Sequence, residues 1–93
     1  MIDRQQFLVR TRIEIETLEV WINEEWLIPR EGATGQEFSD VDIARAHLIK
    51  DLKHDLGVND EGIGVILNLI DQVHGLRRTL RDLLQTVRNK TDF

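Results

Sequence analysis

The sequence predicts an all-α fold carrying a small β-hairpin and ending on a long helix. Three observations carry that prediction. Apolar residues recur at helical spacing through most of the chain. Two glycines interrupt that spacing in a polar stretch over residues 28–38. The last third holds seven apolar residues in an unbroken 3-4 alternation. At 93 residues, 41% hydrophobic and 31% charged, the chain suits one modest folded domain, not a disordered segment. A chain of this size buries only about 60–65% of its unfolded surface, so a partner subunit would add stability.

Residues 3–11 read as a short first helix, with Phe7 and Leu8 as apolar contacts and Asp3 near its start, where negative charge suits the helix dipole. A second helix is expected over about 14–25. Ile15, Leu18, Ile22 and Trp26 form its apolar stripe, and Pro29 stops it or its C-terminal extension. Ile28 and Phe38 then flank a polar segment containing Gly32 and Gly35, which reads as a hairpin. Ser39, with Asp42 three residues on, is a variant capping box opening a third helix. Val41, Ala44, Leu48, Leu52 and Leu56 give that helix its apolar stripe, and Gly57 is placed to end it.

Asn59 or Asp60 can cap a fourth helix reaching about residue 88. Ile66, Leu69, Val73, Leu76, Leu80, Leu83 and Val87 form a heptad seam along it, the pattern of a helix packing against another long helix. Gly75 lies inside and costs about 1 kcal/mol relative to Ala. Its first half, residues 59–75, holds Asp60, Glu61 and Asp71 and no Lys or Arg. Residues 76–90 hold Arg77, Arg78, Arg81, Arg88 and Lys90 against Asp82. Antiparallel pairing sets each acidic half beside a basic half, so the expected assembly is an antiparallel homodimer.

Composition narrows the function classes. With 12 Lys+Arg against 17 Asp+Glu the net charge is −5, which disfavours a phosphate-dominated nucleic-acid binder. The absence of cysteine removes disulfides, thiol nucleophiles and Cys-based zinc sites and fits a reducing cytoplasm. No apolar run approaches the ~20 residues that span a bilayer, and no apolar signal core opens the chain. The expected location is therefore cytoplasmic, with no membrane partner. Ser39 is the sole serine and the helix cap explains it; tyrosine is absent, and no nucleophile–base constellation or phosphate loop is present, so no enzyme activity and no cofactor are expected.

Two groups of residues have competing readings. His47, Asp51 and His54, spaced i, i+4, i+7, could offer three metal ligands on one helix face, but no fourth is evident, and the expectation is no metal site. Trp21 and Trp26 read first as core aromatics and second as a partner hot spot.

Two short helices, a glycine-containing hairpin, a third helix and a long terminal helix resemble a MerR-type winged helix-turn-helix domain. Closer in, Leu48-Ile49-Lys50-Asp51-Leu52-Lys53-His54-Asp55-Leu56, then Gly62-Ile63-Gly64-Val65-Ile66-Leu67-Asn68-Leu69-Ile70-Asp71, then His74-Gly75-Leu76-Arg77, are similar to the chaperone modulator CbpM family. Leu27-Ile28-Pro29-Arg30-Glu31 resembles the lead-in to that family's wing, and the likeness covers about residues 5–88. The turn between the first two helices departs from the family's Thr-Gly-hydrophobic-Ser pattern: it reads Thr11-Arg12-Ile13-Glu14.

The resemblance implies a winged helix-turn-helix-like domain over residues 1–58, and the heptad seam makes the long helix over 59–93 the expected dimerisation element, together one compact unit. It also implies a function: binding the J-domain of a DnaJ-like, CbpA-type co-chaperone and inhibiting its work with Hsp70. The alternative is a MerR-type DNA-binding transcription regulator. By position the second helix is then the recognition helix. Residues 14–28 carry Glu14, Glu16, Glu19, Glu24 and Glu25 and no Lys or Arg, which phosphates would repel. Glu16, Glu19, Val20 and Asn23 fall on one helical face and are the expected contact for a basic helix of the J-domain. Asp51, His54 and Asp55 on the third helix are a further candidate surface. Arg4, Arg10, Arg12 and Arg30 could mark a residual DNA footprint, but ordinary surface charge paired with neighbouring Glu explains them better.

Overall fold

The computed structural model describes residues 1–91. The elements in order are β1 (Ile2–Asp3), α1 (Arg4–Thr11), α2 (Ile15–Asn23), β2 (Arg30–Gly32), β3 (Gly35–Phe38), α3 (Asp40–Lys50), a π-helical turn (Asp51–Asp55) and α4 (Asp60–Thr91). The mostly helical fold with a hairpin and a long last helix is as the sequence predicts. The small sheet is larger than expected. β1 joins the hairpin to give three antiparallel strands in the order β1-β3-β2. Ile2 pairs with Phe38 and Asp3 with Glu37, while Arg30 pairs with Glu37 and Gly32 with Gly35. The chain forms two compact units, Met1–Ile63 and a second beginning at Gly64.

In the first unit α1 starts at Arg4, because Asp3 is its N-cap. The Gln6 N–H donates to Asp3 Oδ1 (2.8 Å) and the Asp3 N–H donates back to Gln6 Oε1 (3.1 Å), a complete capping box. Arg12 ends α1 in the left-handed region (φ 57°), its N–H donating to Leu8 O. The helix-turn-helix bend is therefore made without the expected glycine, at the cost of backbone strain on an arginine. Arg12→Gly is expected to raise the melting temperature by about 3–6 °C, read by thermal denaturation followed by circular dichroism.

Pro29 is not what stops α2. The helix ends six residues earlier, where Glu25 takes the left-handed conformation (φ 61°). The Trp26 N–H donates to Trp21 O (2.9 Å) and the Glu25 N–H to Ile22 O (3.0 Å), the paired bonds of a Schellman cap. The buried face of α2 is Leu18 and Trp21; Ile15 is exposed, and Trp26 is buried from the loop beyond the helix. Both tryptophans are core residues (rings 6.4 Å apart), which leaves neither free as a partner hot spot.

Phe7 of α1 stacks on Phe38 of β3 (centroids 4.2 Å, planes 17° apart), tying helix to sheet. The hairpin turns at Ala33-Thr34, and the positive φ it needs falls on Gly35 (127°). At Gly32 the limit is space: a Cβ there would lie 2.1 Å from Glu37 Oε1, so that side chain would have to turn aside.

α3 opens on the expected box, with the Asp42 N–H donating to Ser39 Oγ (3.3 Å) and the Ser39 N–H to Asp42 Oδ2 (2.8 Å). Its buried face differs from the expected stripe. Ala46 and Ile49 are buried and Leu48 is half-buried, whereas Val41, Ala44 and Leu56 are exposed. The π turn begins at Asp51, shifts the helical register, and keeps Leu52 inside. Two cations on this segment bind main-chain oxygens. Lys50 Nζ donates to Thr11 O at the C-terminus of α1 (2.9 Å), where a cation suits the dipole, and Arg45 Nε donates to Trp26 O (2.5 Å). Thr11, fully buried, satisfies its hydroxyl on Phe7 O (2.7 Å).

α4 is capped by Asn59, whose Oδ1 accepts the Gly62 N–H (2.7 Å). It runs unbroken for 32 residues through Gly75, three residues past the expected end. Nothing lies within 4 Å of a Cβ built at Gly75. Gly75→Ala should therefore stabilise the helix by about 1 kcal/mol, measured by urea denaturation.

Candidate functional site

The outer face of α2 is acidic. Glu14 is its N-cap residue but makes no side-chain cap bond. With Leu18 and Trp21 turned inward, Glu16, Glu19, Val20 and Asn23 are all exposed on the other side. Glu14, Glu24 and Glu25 are exposed as well, so α2 and its flanks present five carboxylates and no cation of their own. One is partnered from outside the helix: Arg4 Nη2 of α1 lies 3.0 Å from Glu19 Oε1. The pair is solvent-exposed, at 39% and 62%, and pairs of this kind stabilise by only about 0–1 kcal/mol. An incoming cation can displace Arg4 at little cost. Arg10, Arg12 and Arg30 are exposed.

Asp51, His54 and Asp55 lie together in the π turn, also exposed, on an element separate from α2. The turn is held by buried Leu52 and by Lys53, whose Nζ lies 2.6 Å from Asp60 Oδ1 and 5.8 Å from the centroid of the Trp26 ring. His47, Asp51 and His54 are all exposed. Among the described residues no three His, Asp, Glu or Cys side chains come together to hold a metal ion.

In the second unit the heptad seam is open to solvent. Ile66 is half-buried, while Leu69, Val73, Leu76, Leu80, Leu83 and Val87 are 44–69% exposed. Leu69, Ile70, Val73 and His74 line a shallow apolar groove of about 290 Å³. Monomeric surfaces rarely leave so long an apolar ladder uncovered. No helix among the described residues is long and apolar enough to cross a membrane.

A second groove, of about 280 Å³, is lined by Arg4, Glu19, Ile22, Asn23 and Gln36. It borders the acidic face and takes residues from α1, α2 and β3. Neither Arg4 nor Gln36 is tied to this face by sequence spacing. The available signal was weak: alternation along β3 puts Gln36 on the same side as buried Phe38, toward the helices.

A family model described as MerR HTH family regulatory protein matches residues 2–85. No curated protein and no solved structure gives a significant match.

Proposed function

This chain belongs to the MerR HTH family of regulatory proteins, and from that premise we propose that it regulates by binding a protein, the J-domain of a DnaJ-like, CbpA-type co-chaperone, whose work with Hsp70 it inhibits. The observation that carries this reading is the charge of α2. A helix that reads DNA faces a polyanion and depends on Lys and Arg for affinity. Here the helix in that position presents Glu16 and Glu19 with Glu14, Glu24 and Glu25 close by, all exposed and none replaced by a cation. The same surface suits a basic helix, and J-domains carry one that docks on Hsp70. A modulator covering that helix withholds it from Hsp70. The similarity of residues 48–56, 62–71 and 74–77 to the chaperone modulator CbpM family supports the choice of partner.

The second element of the proposal is a homodimer in which the seam from Ile66 to Val87 is covered by the same seam of a second copy. The opposed charge of the two halves of α4 supports the antiparallel arrangement. Such a dimer displays two acidic faces. Asp51, His54 and Asp55 are available as an additional contact for the same partner, since π turns recur at functional positions.

The test is enzymatic on the partner's side. Adding the protein to Hsp70 and a purified J-domain should reduce J-domain-stimulated ATP turnover to the basal Hsp70 rate, without changing that basal rate. Undiminished stimulation at a saturating excess would refute the proposal.

A further inference from the structure

The C-terminal half of α4 carries a basic stripe that pairing through the seam leaves uncovered. Residues 76–90 hold Arg77, Arg78, Arg81, Arg88 and Lys90 against Asp82 alone, in a chain whose net charge is −5. At about 100° per residue, the four arginines fall within roughly 100° of one another around the helix. That arc is centred about a third of a turn from the seam of Leu76, Leu80, Leu83 and Val87. All four arginines are exposed, as is every residue from Asp71 to Lys90. Among the described residues no carboxylate pairs with Arg77, Arg78 or Arg81.

Resting on the reading of α2 as a surface for a basic helix, we infer that this stripe docks the acidic face of α2 in a second copy of the chain. The two faces are complementary in charge and in spacing. Glu16 and Glu19 are exposed three residues apart on α2, and Arg78 and Arg81 are exposed three residues apart on α4. Both pairs therefore rise by about 4.5 Å, so one helix laid along the other sets each arginine beside a glutamate. Within the single chain both faces are open to solvent, which leaves another copy as the occupant. Glu19 is held only by Arg4, in an exposed pair that an incoming arginine displaces at little cost. The contact consists of exposed charges, so it is weak and salt screens it, whereas the apolar seam is insensitive to screening. Its consequence is self-limitation. As the protein accumulates, a growing share of its acidic faces is held by other copies and withheld from the J-domain, as mass action requires.

Analytical ultracentrifugation reads this contact without any J-domain. At about 100 µM protein the average mass should be about 1.5-fold or more higher in about 0.05 M salt than in about 0.5 M, where screening removes the contact and leaves the seam. Glu16→Lys with Glu19→Lys, and separately Arg78→Glu with Arg81→Glu, should each keep the high-salt mass at low salt. Arg78 and Arg81 lie off the seam, so the seam contact survives their substitution. Mixing the two variants should restore the excess mass, because the first retains a basic α4 and the second an acidic α2. Against a purified J-domain, Arg78→Gln with Arg81→Gln should raise the apparent affinity about threefold, the gain expected where about two-thirds of the acidic faces were occupied. A wild-type mass that ignores salt, a variant mixture that stays at the high-salt mass, or a J-domain affinity unchanged by the Gln substitutions overturns the inference. Duplex DNA bound by a protein whose mass ignores salt, and lost with the same two Gln substitutions, assigns the stripe to a polyanion and overturns it equally. J-domain binding by a protein of salt-independent mass removes the self-contact and leaves the partner assignment standing. Excess mass at low salt, restored in the variant mixture of a protein that binds no J-domain, keeps the self-contact and removes the partner assignment.

Discussion

Leu76→Glu combined with Leu80→Glu should convert a dimer to a monomer and lower the melting temperature by ten degrees or more, on the order expected for loss of a packed seam. The single chain makes this a sharp expectation. Leu76 is 69% and Leu80 57% exposed within it, and substitutions at such open positions usually change stability by no more than about 0.5 kcal/mol. Leucines removed from a packed seam cost about 2–5 kcal/mol each on truncation. The size of the loss therefore reports whether a second copy covers these residues. The wild-type melting temperature should rise with protein concentration and the variant's should not, as mass action requires of a dimer. Light scattering gives the masses directly; a wild-type monomer at tens of micromolar, roughly where even a weak specific interface is populated, contradicts the seam assignment. Most residues flanking the seam are uncharged: Val65, Ile70, Gln72, Thr79, Leu84 and Thr86, with Arg77 as the cation among them. Helix direction is thus left to the opposed charge of the two halves, and cysteine cross-linking near either end would read it.

Glu16→Lys with Glu19→Lys should abolish J-domain binding while leaving the helical content intact, since both side chains are exposed. The reversal acts twice. It replaces attraction by repulsion toward a basic helix, and it sets a lysine against Arg4, whose tip is now 3.0 Å from Glu19. Wild-type binding should weaken as salt rises from about 0.05 to about 0.5 M, because exposed charges are screened over about 10 Å at 0.1 M. Rim charges of this kind act mainly on the association rate, which stopped-flow mixing would resolve.

The parts of the fold that can be read from sequence share a feature: a long or redundant local signal. The seam from Ile66 to Val87 repeats over several turns, and α4 continues unbroken through Gly75. Ser39 with Asp42 and Asn59 ahead of Gly62 are caps whose chemistry is contained in four residues. The cap of α1 is equally local, but Asp3 and Gln6 also bond reciprocally, which is more than the dipole contribution assigned to Asp3. What cannot be read depends on tertiary structure. β1 has two residues, too few for any period, and is defined only by pairing with β3. Arg12 and Glu25 adopt left-handed conformations that sequence rules reserve for glycine. Those rules therefore ask for a glycine in the bend after α1 and give no signal for the cap at Glu25. α3 carries two apolar stripes. Val41-Ala44-Leu48 is the more regular, but Ala46 and Ile49 face the core, where α1 approaches α3. The π turn then breaks any single helical register through Asp51–Asp55.

The same division holds at the candidate site. Glu16, Glu19, Val20 and Asn23 share a face by helical spacing alone, and all four are exposed. Arg4 and Gln36 reach the edge of that face because the helix-turn-helix bend and the wing fold back on one another, a long-range effect with no local signature.

Calorimetric titration of the wild-type protein and the Glu16→Lys, Glu19→Lys variant, each against a purified J-domain and against duplex DNA, tests the central claim most directly. The account predicts that the wild-type protein binds the J-domain and not DNA, and that the variant loses the J-domain. Binding of the wild-type protein to duplex DNA, tightened by the same two lysines and accompanied by no J-domain binding, would contradict it.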